Sequence, residues 1–246
     1  MAAPFVRRIV HADLSRSRLT TESPPESFYR TYLGGSAMGL YYILRALPPG
    51  ADPLGPENVL TLMVSVLTGA PISGQSRMTA NALSPLVDGI GDSQCGGFFP
   101  AEMRFAGFDG IVVTGRAAEP VYLWLHDGQA ELRPAGHLWG KTTSEAEDTL
   151  KQELGDEKIE IAQIGPSGEQ RSRLAAIMNM ANRANGRTGM GAVMGSKNLK
   201  AVVVRGASKK LPWADPKKIV ELARWGAGEI DNNGDVLGLQ KYGTAS

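Results

Sequence analysis

The feature that most limits the fold is a series of strand-length apolar runs, at residues 59–66, 77–83, 110–114, 121–126, 129–133, 159–164 and 201–205, bounded by Gly, Pro or Asp-rich stretches. Runs this short are marginal as isolated helices, and their length and punctuation suit β-strands. Asp127-Gly128 joins two of them, and this pair is a hairpin signal because both positions tolerate positive φ. Residues 110–133 therefore read as a three-stranded meander. A hairpin precedes them, with residues 5–14 as a strand, Ser15-Arg16-Ser17 as its turn and 18–21 as the return, stopped by Pro24-Pro25.

Helical periodicity is sparser. From Glu26, apolar side chains recur at Phe28, Tyr32, Leu33, Leu40, Ile43, Leu44 and Leu47, interrupted at Gly34-Gly35. Ala146, Leu150 and Leu154 share one side of residues 143–154, with Thr143 as the expected cap, and a short helix fits near 101–105. Asp215-Pro216 opens a last helix reaching about Ala227, which places a boundary near residues 206–211.

With 246 residues, 42% of them apolar, the chain can bury a sizeable core. Its 26 Lys plus Arg nearly cancel 25 Asp plus Glu, so there is no general attraction for nucleic acid or an anionic membrane, and any anion site must be local. The longest apolar run, residues 59–67, is broken by Thr61 and Ser65 and falls far short of the roughly 20 residues of a membrane span. Charged residues occupy the start where a secretory signal has its apolar stretch, so a cytoplasmic protein is expected. A single cysteine, Cys95, excludes an internal disulfide and a four-cysteine iron–sulfur site built from this chain alone.

The densest chemical signal is residues 182–200, NRANGRTGMGAVMGSKNLK, where Gly186, Gly189, Gly191 and Gly195 alternate with Arg183, Arg187, Lys197 and Lys200. Glycines let backbone N–H groups turn toward an anion, and the cations add charge-assisted hydrogen bonds. The spacing fits neither a Walker loop nor a Rossmann turn, so an anion site and a structural glycine-rich turn both remain open. A second segment, residues 74–97, carries Arg77, Asn81 and the loop GIGDSQCGG at 89–97, whose glycines allow close backbone approach. Arg77 can clamp an anion or simply be solvated, and Asp88 and Asp92 can hold a divalent ion or cap turns. Cys95 has no His or acidic partner close in sequence and reads as a small buried residue. His11, His126 and His137 lack metal-ligand spacing, and the methionines at 178, 180, 190 and 194 read as packing.

Two blocks, GIGDSQCGGFFPAEMRFAGFDGIVVTGRAAEPVYL and IGPSGEQRSRLAAIMNMANRANGRTGMGAVMGSKNLKAVVVRG, together with YLGGSAMG at 32–39, strongly resemble the tungsten-containing aldehyde ferredoxin oxidoreductase family. The resemblance implies an α+β fold of two β-sheets with peripheral helices, forming a base for a tungsten (or molybdenum) bis-pterin whose dithiolenes, not protein atoms, hold the metal. It implies residues 1–211 as the cofactor-binding domain and 212–246 as the start of a truncated helical domain. Arg77 with Asp92, Ser93, Gln94, Cys95 and Gly96 is implied to meet one pterin, and Arg183, Ala184, Asn185, Gly186 and Arg187 the other. A magnesium ion bridging the pterin phosphates is implied at the main-chain carbonyls of Gln94 and Ala184. Gln94 itself departs from the usual asparagine, a change that a main-chain ligand survives.

The family's [4Fe–4S] cysteines and acid–base residues lie in later domains, so catalytic residues are not expected here. The implied partners are those missing C-terminal domains or a partner subunit, ferredoxin or another electron carrier, and an aldehyde substrate, with a homodimer also open. Neither nucleic acid nor membrane is an expected partner. The competing readings are a free-standing pterin or phosphate carrier and an inactive remnant, and a downstream C-x-x-C-x-x-x-C motif would separate these from a cut enzyme.

Overall fold

Segments such as Leu60–Val64 and Leu199–Arg205 are apolar on both faces, so strands built from them need cover on each side. Two stacked six-stranded sheets, coated on their outer faces by helices, supply that cover. This computed structural model describes residues 6, 8–87 and 89–243. Phe5, Arg7 and Asp88, included in the expectations above, lie outside the described residues.

The first sheet contains β1 (Ile9–Asp13), β2 (Arg18–Glu22), β3 (Leu60–Val64), β4 (Met78–Leu83), β5 (Ile90–Cys95) and β6 (Gly110–Thr114), in the order β2-β1-β6-β3-β4-β5. The second contains β7 (Val121–His126), β8 (Gln129–Pro134), β9 (Glu160–Gln163), β10 (Ile177–Asn179), β11 (Arg183–Asn185) and β12 (Leu199–Arg205), in the order β11-β10-β9-β12-β7-β8. One parallel pair lies inside each otherwise antiparallel sheet, β1 with β6 and β12 with β7.

Alternation along the strands sorts side chains into layers. Val202 and Val204 of β12 face Leu60, Leu62 and Val64 of β3 across the central core, while Ala201 and Val203 turn outward. The outward pair packs on α4 (Thr143–Leu154) through Ala146 and Leu150. On the other outer face, α1 (Glu26–Tyr32) and α2 (Gly35–Ala46) bring Phe28, Tyr29, Met38, Tyr42 and Ile43 onto Ile9, Met63 and Val112. The break between those helices has a steric cause. Gly34, at φ 131°, passes so close to Ser65 that a Cβ would overlap its backbone. The helices α3 (Phe99–Phe105), α5 (Pro166–Glu169) and α6 (Met190–Ser196) close the ends, with α3 and α6 adding to the central core. Beyond them α7 (Pro216–Glu229) and α8 (Gly234–Tyr242) bury no residue. No helix among the described residues is long and apolar enough to cross a membrane.

The α+β class with two sheets and peripheral helices is thus present, and four local expectations are corrected. Residues 89–97 are not a loop, because 90–95 form β5; its inward positions Gly91, Ser93 and Cys95 are small, which hid the alternation. Residues 110–133 are not a meander, because β6 inserts between β1 and β3 while only β7 and β8 form a hairpin. The cap of α4 is Thr142 rather than Thr143, in a reciprocal capping box with Glu145. Residues 182–200 form a strand and a helix rather than one loop.

Candidate functional site

At one end of the sandwich the outermost strands of the two sheets, β5 and β11, lie against each other. β5 is positioned by antiparallel pairing with β4, which sets Thr79 opposite Gln94 and Asn81 opposite Asp92. β11 is the return of a short hairpin with β10, whose turn holds Met180 and Ala181 at positive φ. Side chains join the two edges. Asn185 Nδ2 donates to Ser93 O at 2.5 Å, and Asn179 Nδ2 lies 3.0 Å from Cys95 Sγ and 3.3 Å from Gly96 O. The Arg187 amide donates to Ser93 Oγ at 3.2 Å.

Two depressions open on this seam. One, of about 520 Å³, has Arg77, Gln94, Cys95, Gly96, Arg183 and Ala184 in its lining. The other, of about 490 Å³, is lined by Asp92, Ser93, Gln94, Ala184, Gly186 and Arg187. Gln94 and Ala184 border both. The structure therefore brings the residues that the resemblance implies as cofactor contacts to one place, except Asn185, which is buried beneath the seam.

The electrostatics favour an anion. Arg77, Arg183 and Arg187 are exposed, and among the described residues none of them has a side-chain hydrogen bond or ion pair. The one carboxylate of the lining, Asp92, accepts a hydrogen bond from Ser36 Oγ at the start of α2. Three uncommitted guanidiniums around shallow, glycine-floored depressions suit phosphate or carboxylate oxygens. Cys95 faces inward, and burial pushes its thiol up to about 11, so it is a protonated core residue and not a thiolate ligand. Among the described residues, no three His, Cys, Asp or Glu side chains cluster to hold a metal.

Other candidates fall outside the site. Lys197 and Lys200 are fully buried and make internal contacts, Lys197 with the carbonyls of Asn58 and Gly115 and Lys200 with Glu169. Gly191 and Gly195 let α6 pack on backbone, since a Cβ on Gly191 would stand 2.5 Å from Ala176 O. The histidines at 11, 126 and 137 each meet a glutamate, Glu22, Glu131 and Glu153 respectively. Sequence reasoning missed Ser76 and Asn182, which also line the larger depression, and Asn179, which lies behind it. The recurrence of asparagine at 179, 182 and 185 was the available signal.

Fold and site together define a two-sheet domain with a pair of adjoining, arginine-lined depressions on the seam between the sheets. The chain belongs to the aldehyde ferredoxin oxidoreductase family: residues 9–206 match the family model for the N-terminal domain of aldehyde ferredoxin oxidoreductase. It is similar to the tungsten-containing aldehyde ferredoxin oxidoreductase of Pyrococcus furiosus, at 43% identity over 97% of this chain and 39% of that protein. A second Pyrococcus furiosus relative, the WOR-like subunit of an aliphatic sulfonate oxidoreductase, is 33% identical over 88% of this chain and 37% of its own length. Among solved structures, the active site complex BamBC of benzoyl coenzyme A reductase, with 1,5 dienoyl-CoA, superimposes with a TM-score of 0.90 at 32% identity, covering 96% of this chain and 36% of that one. The chain thus spans under two fifths of the length of these relatives.

Proposed function

We propose that this chain supplies the cofactor-seating base of an aldehyde:ferredoxin oxidoreductase, holding a tungsten (or molybdenum) bis-pterin on the seam where the edges of its two sheets meet. The observation that carries this reading is the double depression, with Gln94 and Ala184 on the ridge and unpaired arginines on both sides. A cofactor made of two linked pterin phosphates needs such a twofold arrangement of donors, and the residues present fit it. Arg77 would take the phosphate side of one half, and Arg183 with Arg187 that of the other. The backbone near Gln94 and Ala184 would offer carbonyl oxygens, the ligand type a magnesium ion prefers. When bound, the group supplies two-electron oxidation of an aldehyde to a carboxylic acid. This chain's part is to orient it and to offset its negative charge.

In the same reading, residues 1–211 form the cofactor-binding domain and 212–246 begin a helical portion. The [4Fe–4S] cluster, the acid–base residues and the contact with ferredoxin or another carrier belong to further domains or a partner subunit, in the cytoplasm. The likeness of one cradle to relatives named for aldehyde, sulfonate and benzoyl coenzyme A chemistry supports a division of labour, with the substrate chosen outside this domain.

The test is the tungsten, molybdenum, magnesium and pterin content of the chain purified from a host that makes the cofactor. About two pterins per tungsten or molybdenum, lost on replacing Arg77 and Arg183 by alanine, is the expected result. A well-folded chain that carries none under those conditions would refute an autonomous cradle.

A further inference from the structure

The two strands that meet at the seam are sheet edges, and an edge strand presents unpaired N–H and C=O groups that usually find a ladder partner or a cover. Here two edges face each other, yet among the described residues no backbone-to-backbone hydrogen bond joins residues 90–97 to 183–187. Carboxamides bridge the gap instead. Asn185 donates to Ser93 O, immediately before Gln94, and more distantly to Met78 O at 3.5 Å. Asn179 donates to Gly96 O and to Cys95 Sγ, on the other side of Gln94.

We propose that Asn185 and Asn179 are positioning residues that fix the separation between the Gln94 strand and the Ala184 strand, and with it the geometry of any cation bound on the ridge. This rests on the cradle reading above. Both side chains are at most 1% exposed, and each leaves its Oδ1 buried with no hydrogen-bond partner. Mere space-filling at these positions is better served by leucine, which has no oxygen to desolvate. The asparagines make sense where the NH2 group is what matters, reaching a carbonyl that a backbone ladder does not. Asn179 also braces the turn leaving β5: Gly97, at φ 109°, has no room for a Cβ, which would stand 2.5 Å from Asn179 Oδ1 and 2.8 Å from Met180 Sδ.

The consequence follows from coordination chemistry. Magnesium demands near-octahedral oxygen ligands at about 2.0–2.1 Å, so carbonyls contributed by two separate sheets bind it only if the gap between them is fixed. Groups that orient metal ligands without touching the metal typically affect affinity about 10–100-fold.

The experiment uses protein loaded with cofactor during expression, stripped of magnesium with EDTA and titrated with Mn2+ by electron paramagnetic resonance. Pterin content and thermal midpoint are measured on the same samples. Asn185→Leu and Asn179→Leu are expected to stay folded and keep their pterin while the Mn2+ dissociation constant rises about tenfold or more. Should a leucine variant not fold, Asn185→Ser, which loses the reach but adds no charge, gives the same readout. Folded, pterin-loaded variants whose Mn2+ affinity stays within about twofold of the parent overturn the positioning role and leave the cradle standing. A parent chain that retains no pterin overturns the cradle reading and this inference with it.

Discussion

Lys200 Nζ lies 2.5 Å from Glu169 Oε1, with both side chains buried. Both groups have a second partner: Lys200 also donates to Lys141 O at 3.0 Å, and Glu169 Oε2 accepts from the Gly140 amide at 2.8 Å. The pair locks α5 and β12 to the turn before α4. Removing one partner leaves an uncompensated buried charge, so Lys200→Met should cost about 3–5 kcal/mol in urea unfolding. The double variant Lys200→Met with Glu169→Leu should recover most of that loss, since a packed apolar pair replaces a desolvated ionic one. A double variant as unstable as the single would show that the hydrogen bonds, not the charges, matter.

Lys197 is a second buried ammonium, held by the carbonyls of Asn58 at 2.5 Å and Gly115 at 3.1 Å. Burial, with a smaller contribution from Arg116, lowers its pKa to about 8 from 10.5. The unfolded chain therefore binds more protons between these values, and stability should rise with pH across that window. The gain between pH 8 and 10 relative to Lys197→Met is about 2 kcal/mol. Urea melts of both proteins at pH 8, 9 and 10 test the sign. Above pH 10 the raised pKa values of buried Tyr29 and Tyr42 work in the opposite direction in both proteins, so the difference between the two, not the parent's stability alone, carries the test.

Glu160, at the start of β9, has the reverse linkage. Burial first, then repulsion from Glu147 and Glu102, pushes its carboxyl up to about 7. The folded state holds the extra proton between pH 4.5 and 7, so this group's contribution falls as pH rises through that range. Glu160→Gln should stabilise the protein at pH 7 by about 1 kcal/mol, allowing for solvent screening at a half-buried position. The advantage should shrink toward zero near pH 4.5, and a gain independent of pH would point to packing instead of charge.

These buried ions also show what the sequence conceals. Strand-length runs and Asp127-Gly128 disclose most strands, because apolar alternation and turn chemistry are local properties. Partnership between strands is not local: the crossover at residues 115–120 that separates β6 from β7 looks, in the sequence, like any other turn. β5 was hidden because Gly91, Ser93 and Cys95 fill a tight interior with small side chains and give no apolar signal. Lys197 and Lys200 look like anion ligands beside Arg183 and Arg187, and only the long-range contacts with Asn58 and Glu169 turn them inward. The ridge residues Gln94 and Ala184 are legible only through family resemblance, for neither side chain carries distinctive chemistry.

The glycine-rich stretch itself divides into two halves that can be told apart by substitution. A Cβ on Gly195 would overlap the carbonyl oxygen of Gly168, where α6 crosses α5, and backbone cannot give way as a flexible side chain can. Gly195→Ala should therefore cost about 3 kcal/mol or more through overpacking, seen as a large fall in thermal midpoint. At Gly186, in the lining of the smaller depression, the nearest atom to a new Cβ is 3.7 Å away and φ is not positive. Gly186→Ala should leave the stability within about 0.5 kcal/mol of the parent, the range of surface substitutions. Its effect should fall on ligand retention, because a methyl group in the lining stands where a phosphate-bearing ligand would approach the backbone. Equal stability losses at the two glycines would mean that the whole stretch is structural, and that the anion site lies with the arginines alone.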